Sequence, residues 1–194
     1  MTALEVPRLT ADGLLLRPWE LADLPLVREA SDDPYIPLIT TVPPVWSRAA
    51  GESFVRRQWA RAHTGAGYPF VIVRTADARP LGTIGLWLRD LPEGRATLGY
   101  WLAPHARGNG TATHALTTLT TWATTELHVP RLQLLVEPWN TPSARTAERA
   151  GFVREGVLRG WQEVGGVRRD MVMYGRVAGG RAGGGAGPQG AGSS

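Results

Sequence analysis

The fold of this chain is organised around one stretch, Tyr100-Trp101-Leu102-Ala103-Pro104-His105-Ala106-Arg107-Gly108-Asn109-Gly110-Thr111-Ala112. An apolar strand ends at Pro104, a turn with Arg107 and two glycines follows, and an amphipathic helix begins near Ala112. Such a junction presents free backbone N–H groups at the positive end of a helix dipole, which suits a phosphate or pyrophosphate. Taken alone, it is equally typical of an ordinary connection between a strand and a helix, so the flanking segments must distinguish the two.

The segments on either side of this stretch show strand and helix patterns in a definite order. Before it, three apolar segments joined by short turns, at residues 68–74, 81–91 and 95–102, predict an antiparallel meander. After it, the pattern predicts a helix, a strand at 131–137, a short helix and two strands that reverse at Gly165-Gly166. With a first strand and two helices ahead of the meander, this order predicts a mixed α/β sheet with one crossover helix.

Residues 32–44, after the first predicted helix, have an unusual composition. They contain four prolines and several β-branched residues, and they are too apolar for a solvated linker. Two interpretations stay open: a structured loop that covers a pocket, or a loop that packs on the core without a functional role.

The length and composition indicate one globular domain. The hydrophobic fraction is 43%, no apolar run is long enough to cross a bilayer, and no cysteine is available for disulfides or thiol chemistry. The first ten residues lack the apolar core of a signal peptide, so we expect a cytoplasmic protein with no membrane partner. We predict an N-terminal extension over residues 1–8, a domain over residues 9–177 and a disordered tail rich in Gly, Ala and Ser over residues 178–194.

The positive charge of the chain comes entirely from arginine. The net charge is +4 and the sequence contains no lysine, a bias that a high-GC coding sequence or an anion-binding role would each produce. The arginines are scattered, and the longest basic run is Arg168-Arg169. Since there is also no recognisable nucleic-acid-binding motif, we expect no nucleic-acid partner.

Three motifs of the chain resemble those of the GNAT acyltransferase superfamily. Arg107-Gly108-Asn109-Gly110-Thr111-Ala112 matches the pattern Q/R-x-x-G-x-G/A, and Asn140-x-x-Ser143-x-x-x-x-Glu148-Arg149-x-Gly151-Phe152 matches the second CoA-binding motif. Glu155-Gly156-x-Leu158-Arg159, followed by Gly166 and Asp170, resembles the Rim-type branch, the ribosomal-protein N-terminal acetyltransferases and their relatives. The resemblance covers roughly residues 9–177.

The resemblance implies a fold and a cosubstrate. The fold is a GNAT-like α/β (α+β) mixed, mostly antiparallel twisted sheet of about seven strands, with a splayed central pair and about four helices. The cosubstrate is acetyl-CoA as acyl donor, with no metal. In the family the pyrophosphate binds backbone N–H groups of the turn at 107–112, where Arg107 would add charge, and the pantetheine arm pairs with the exposed edge of the preceding strand. The residues implied to bind the cofactor are Tyr100, Trp101, Leu102, Arg107, Gly108, Asn109, Gly110, Thr111, Ala112, Asn140 and Ser143.

The implied chemistry is the attack of a neutral amine on a thioester, which needs a general base and an acid for the leaving thiolate. Many family members use a tyrosine four residues after the position of Ser143, where this chain has Ala147. The Rim branch uses the serine itself, so Ser143 is the candidate acid, although it would also suit a helix N-cap. A gapless comparison puts Gln162 at the position of the branch's glutamate, with Glu163 next to it, and a slip of one residue along a strand reverses the side chain's face.

Two carboxylates are therefore candidates for the base. Glu163 follows from the comparison with the branch, and Glu137 lies at the end of its strand beside the implied splay. Asp170 is interpreted as a structural residue that accepts a hydrogen bond at a turn or strand end.

The function implied by the resemblance is an acetyl-CoA-dependent N-acetyltransferase that acts on a primary amine in a ternary complex. The amine belongs to a protein N-terminus, a lysine, an amino acid or a small molecule. Because the tyrosine is missing and the glutamate is displaced, a module that binds acyl-CoA without turnover is the alternative. The resemblance is also compatible with a homodimer that pairs through the last strands.

Overall fold

The centre of the molecule, in a computed structural model that describes residues 3–179, is one eight-stranded sheet. The strands are β1 (Leu9–Ala11), β2 (Leu14–Arg17), β3 (Gly67–Arg74), β4 (Arg79–Trp87), β5 (Arg95–Leu102), β6 (Arg131–Val136), β7 (Val153–Val164) and β8 (Val167–Val177). They lie in the order β1-β2-β3-β4-β5-β6-β8-β7, and every neighbouring pair is antiparallel except β5 and β6. This is the predicted mixed, mostly antiparallel sheet.

Five α-helices accompany the sheet in the described part of the chain. They are α1 (Leu24–Ser31), α2 (Ile36–Ile39), α3 (Arg48–His63), α4 (Thr111–Thr125) and α5 (Thr141–Arg149). Helix α3 begins after Ser47, whose hydroxyl oxygen accepts a hydrogen bond from the N–H of Ala50 at 3.1 Å. Helix α4 is the predicted crossover, because β5 and β6 are parallel and need a connection that returns along the sheet.

Strands β5 and β6 diverge after a short parallel contact. Residues 95–97 pair with residues 131–133, after which β5 continues against β4 as far as Leu102 and β6 continues against β8 as far as Val136. The edge of β5 from Leu98 onward has no β6 partner within residues 3–179. The predicted splayed central pair is thus present, and it opens a gap in the middle of the sheet.

Apolar side chains fill both faces of the sheet. Along β3, Phe70 and Ile72 belong to the cluster beneath α4 and α5, whereas Val71 and Val73 belong to the cluster beneath α1 and α3. This alternation follows from the period of two along a strand. Each large side chain that is buried in this way contributes about 1.5–3 kcal/mol to the stability of the fold. The sheet therefore holds the ends of β5 and β6 in place.

The structure adds one strand and one helix to the predicted counts of about seven and about four. The additions are β1 and α2, which have three and four residues and are too short to show a periodic pattern. In the predicted N-terminal extension, the N–H of Leu4 donates a hydrogen bond to the carbonyl oxygen of Ala62 at 2.9 Å. The predicted disordered tail falls mainly on residues 180–194, which lie outside the described residues.

Candidate active site

The turn between β5 and α4 leaves the first backbone N–H groups of the helix open to a ligand. Gly110 is the N-cap of α4 and has a φ of 75°, and Gly108 has a φ of 84°; both angles suit glycine and strain other L-residues. Among the described residues no side chain caps this helix start, and residues 108–110 are exposed. This backbone geometry is suited to an anion.

Arg107 braces this turn against the segment at residues 32–44. Its guanidinium group donates hydrogen bonds to Oδ2 of Asp33 at 2.6 Å and to the carbonyl oxygen of Leu102 at 3.1 Å. Asp33 is buried, and its Oδ1 accepts hydrogen bonds from the N–H groups of Tyr35 and Ile36, each at 2.9 Å. The charge that Arg107 was expected to offer to a phosphate is therefore partly balanced by Asp33.

The environment of Asp33 favours its ionised form. Burial alone would oppose ionisation, but the hydrogen bonds from the N–H groups of Ile36 and Tyr35, together with Arg107, hold the pKa of Asp33 below its ordinary value. The ion pair is therefore intact at neutral pH.

The side chains at the end of β5 pack alternately on the two faces of the sheet. The Tyr100 hydroxyl is enclosed beside the hydroxyls of Ser143 and Thr146. Within residues 3–179 it forms no hydrogen bond of good geometry. Burial raises the pKa of Tyr100, and the two hydroxyls partly oppose the shift. Trp101 and Leu102 are 6% and 8% exposed, and their side chains belong to the core. A ligand in the gap would therefore reach the side chain of Tyr100 but only the backbone of Trp101 and Leu102.

Asn140 and Ser143 mark the start of α5 on the other side of the gap. The N-cap is Asn140, whose Oδ1 accepts a hydrogen bond from the N–H of Ser143 at 3.2 Å. Although serine is a common N-cap residue, Ser143 does not cap this helix. The side chain of Ser143 faces the same region as Tyr100. The two motif residues and the end of β5 thus meet at one place.

Glu137 is a buried carboxylate with a defined hydrogen-bond environment. It is 5% exposed and follows the last residue of β6. Its Oε1 accepts a hydrogen bond from the hydroxyl of Tyr35 at 2.5 Å, and its Oε2 accepts one from the indole N–H of Trp139 at 3.0 Å. The rings of Tyr35 and Trp139 meet edge to face at 4.9 Å, which fixes both donors around the carboxylate.

Tyr35 is a site residue that the sequence did not reveal. It belongs to the proline-rich segment at 32–44, for which a position over a pocket was one of two interpretations, but it lies 102 residues from Glu137. Burial, followed by the hydrogen bond to Glu137, raises the pKa of Tyr35 above its ordinary value. The phenol therefore stays protonated and donates a hydrogen bond.

Glu163 lies in a different environment. It is exposed on β7, opposite Arg168 in the register with β8. The register jumps between Leu158 and Gln162, where residues 159–161 bulge opposite Asp170. Oδ1 of Asp170 accepts a hydrogen bond from the N–H of Gly160 at 2.7 Å, which confirms its structural interpretation.

A cavity of about 340 Å³ lies beside Glu137. Its lining residues are Glu137, Pro138, Trp139, Arg168, Arg169 and Asp170. Leu38 of α2 borders the same hairpin, because its side chain lies 3.4 Å from the place that a Cβ on Gly165 would occupy. The segment at 32–44 and the β7–β8 hairpin therefore meet next to this cavity.

Residues 3–179 lack two other kinds of feature, a metal-binding cluster and a membrane-spanning helix. No cluster of three or more His, Cys, Asp or Glu side chains has the arrangement of a metal site. None of the helices in this part of the chain has the length and apolar character needed to span a membrane.

Comparisons with known proteins agree with the motifs. A family model described as an acetyltransferase (GNAT) domain matches residues 13–153, a span that includes both CoA-binding motifs. The uncharacterized N-acetyltransferase p20 of Bacillus licheniformis is 28% identical over 166 residues, which cover 86% of this chain and 93% of that protein.

Solved structures share the fold. RimL, a ribosomal L7/L12 α-N-protein acetyltransferase solved in complex with coenzyme A, is similar with a TM-score of 0.78 and 20% identity, over 88% of this chain and 98% of that one. RimJ of Mycobacterium smegmatis, in complex with a CoA disulfide, is similar with a TM-score of 0.74 and 26% identity, over 89% and 87% of the two chains. The family model and these folds agree with the geometry of the splayed sheet, and the chain therefore belongs to the GNAT family of N-acetyltransferases, which take their acyl group from acetyl-CoA without a metal.

Proposed function

We propose that this enzyme acetylates a primary amine in the gap between β5 and β6, with Glu137 as general base and Ser143 as general acid. The observation that carries the proposal is the burial of Glu137 between the hydroxyl of Tyr35 and the indole of Trp139, next to the start of α5. The acceptor is a protein or peptide N-terminus, a lysine, an amino acid or a small amine.

The proposed binding site for acetyl-CoA is supported by the N-terminus of α4, which no side chain of the described residues caps. The N–H groups at the beginning of α4 bind the pyrophosphate of acetyl-CoA, and glycine at 108 and 110 allows the backbone to approach it. The unpaired edge of β5 from Leu98 onward, the side chain of Tyr100 and the amide of Asn140 line the course of the pantetheine arm. Arg107 acts mainly by holding the turn through Asp33.

Each protein group has one task in the transfer. Glu137 takes one proton from the acceptor ammonium, and the neutral nitrogen then attacks the thioester carbonyl carbon. As the C–S bond breaks, Ser143 gives its hydroxyl proton to the leaving sulfur and recovers a proton from the nitrogen that becomes the amide. The net products are the acetylated amine, CoA with a free thiol and one released proton.

Glu137 is favoured over Glu163 because of its surroundings. A general base must be fixed in one orientation beside the reacting amine, and both oxygens of Glu137 are held by hydrogen bonds. Glu163 is exposed and is absent from the lining of the cavity. The alternative of an acyl-CoA-binding module without turnover has no support in this arrangement.

The proposal is tested by measuring CoA release from acetyl-CoA with a panel of primary amines. We expect amine-dependent release by the wild-type enzyme and a fall in kcat of about 100-fold in Ser143→Ala, with little change in the KM of acetyl-CoA. Ser53→Ala, on the exposed surface of α3, is the matched control. Absence of amine-dependent release with the whole panel would contradict the proposal.

We propose further that the enzyme acts in the cytoplasm, without a nucleic-acid or membrane partner, and forms a homodimer. Strand β7 is at the edge of the sheet and carries exposed Val153, Val157 and Trp161, which supports pairing with a second copy. Light scattering tests the dimer, and a monomeric mass at micromolar concentration would contradict it.

A further inference from the structure

The cavity beside Glu137 contains charges of both signs that lie on different elements. Glu137 and Trp139 come from the end of β6 and the loop after it, whereas Arg168, Arg169 and Asp170 come from the start of β8. A cavity of about 340 Å³ is near the lower limit of small-molecule sites, so it accepts a group the size of one or two amino-acid residues.

The two arginines keep most of their binding capacity. Within residues 3–179, neither guanidinium group lies within 4.0 Å of a carboxylate oxygen, although Glu163 is opposite Arg168 in the strand register. Arg168 makes one long hydrogen bond, at 3.3 Å, to the carbonyl oxygen of Trp161. The nearby Asp170 is already engaged, since its Oδ1 accepts the N–H of Gly160.

Arginine in such a position is suited to an anionic group. Its planar guanidinium presents paired N–H donors that match the two oxygens of a carboxylate or phosphate. Glu137, which lines the same cavity, attracts the acceptor ammonium. Trp139, which is 60% exposed, adds an apolar surface to the lining.

We propose that Arg168 and Arg169 select acceptor amines that carry an anionic group within one or two residues of the reactive nitrogen. This inference rests on the proposed function, because it places the acceptor amine at Glu137. The acceptor is a short zwitterionic segment: its ammonium lies at Glu137, and its carboxylate or phosphate lies against Arg168 and Arg169. Two sources share this chemistry, a free amino acid and a peptide N-terminus followed by an acidic residue.

The experiment compares matched acceptors in the full-length enzyme with acetyl-CoA. One arm uses peptides that differ only in Asp or Asn at the second position, and the other uses free alanine and alaninamide, which differ only in the carboxylate. We expect kcat/KM for the Asp peptide to exceed that for the Asn peptide about tenfold, and the ratio to fall as salt is added. A preference confined to the free amino acids would identify the small-molecule source.

Arginine variants locate the origin of the preference. In Arg168→Gln/Arg169→Gln we expect the Asp-to-Asn ratio to fall to about one, and in Arg168→Glu/Arg169→Glu to fall below one. Arg79→Gln, an exposed arginine at the start of β4, is the control that keeps the wild-type ratio. Melting curves verify that each variant is folded.

The outcomes separate this inference from the proposed function. Turnover by the wild-type enzyme with a ratio near one in both arms would overturn the inference and leave the proposed function intact. A wild-type preference that survives in the double glutamine variant would also overturn it. Absence of turnover with every acceptor would overturn both.

Discussion

The candidate active site contains three side chains in mutual contact, those of Glu137, Tyr35 and Trp139. Two neutral donors hold one buried carboxylate, so the carboxylate has a fixed orientation. A carboxylate in this setting can accept a proton from an ammonium and return to the same position.

Tyr35→Phe tests the positioning of Glu137. The substitution removes the hydrogen bond at 2.5 Å but keeps the ring that packs on Trp139. Since a hydrogen bond to a charged group is worth about 1.5–3 kcal/mol, we expect kcat to fall about tenfold or more, with the KM of acetyl-CoA unchanged.

The control for this variant is Tyr68→Phe, a buried tyrosine that packs on Trp122 at 4.9 Å. It should keep the wild-type kcat. A wild-type kcat in Tyr35→Phe, or an equal loss in both variants, would show that Tyr35 does not position the base.

Single site residues could be predicted only where a local motif carries them. Gly110, Asn140 and Ser143 belong to such motifs, and the structure brings Ser143 next to Tyr100. Asp33 and Tyr35 could not be predicted, because their contacts join residues that are 74 and 102 positions apart. No local pattern specifies which side chain of a proline-rich segment reaches such a partner.

The turn that leads into α4 depends on glycine at one position in particular. Gly110 has a φ of 75°, where another L-residue costs roughly 1–2 kcal/mol. We expect Gly110→Ala to lower Tm by about 2–8 °C and to raise the KM of acetyl-CoA, because the free N–H groups of α4 shift. Gly156→Ala is the control, since Gly156 has no positive φ and no atom within 4 Å of the added methyl. An unchanged KM in the Gly110 variant would exclude this turn as the pyrophosphate site.

The segment that contains Asp33 is tied to the same turn by the ion pair with Arg107. The pKa of Asp33 is lowered in the folded state, so its contribution to stability is complete above the unfolded-state value of about 4 and is lost as the pH falls through the lowered value. We expect Asp33→Asn to reduce the free energy of unfolding by about 1 kcal/mol at neutral pH, a modest figure because Arg107 is half exposed.

Urea denaturation at a series of pH values measures this effect. The difference between the wild-type protein and Asp33→Asn should be constant from neutral pH to about pH 4 and should shrink below it. A difference that grows as the pH falls would contradict the assignment of the lowered pKa.

Elements were predictable where they are long and periodic. The bounds of β5 agree with the predicted strand, and α4 differs from the predicted helix only at its ends. The face of Glu163 could not be predicted by counting along β7, because the bulge at residues 159–161 resets the alternation of side chains. At that bulge the N–H of Gly160 donates a hydrogen bond to Asp170, which is a contact across the hairpin.

The whole sheet brings the start of α4 and Glu137 to the two sides of one gap. Because β5 and β6 pair over only three residues, the chain can place the turn of α4 on one side of the gap and α5 with Glu137 on the other. The order of strands and helices followed from the sequence, and the resemblance to the GNAT family implied the gap. The approach of the segment at 32–44 to both sides became visible only in the assembled fold.

Acetyl-CoA should stabilise the folded protein, because its site requires β5, α4 and α5 to be in place together. At 100 times the dissociation constant, the added stability is about 2.7 kcal/mol, which corresponds to an increase in Tm of roughly 5–10 °C. Thermal melts with and without acetyl-CoA measure the increase. No shift at millimolar acetyl-CoA would contradict a preformed donor site.

The central claim is that Glu137 at the end of β6 is the base that deprotonates the acceptor amine. Its most direct test is the pH dependence of kcat in Glu137→Gln and Glu163→Gln, measured by CoA release with one amine acceptor. We predict that Glu137→Gln loses about 100-fold or more in kcat at neutral pH and partly recovers at high pH, where the free amine needs no base. Glu163→Gln should stay within about twofold of the wild type. The reverse pattern, with the loss in Glu163→Gln and wild-type kcat in Glu137→Gln, would contradict the account.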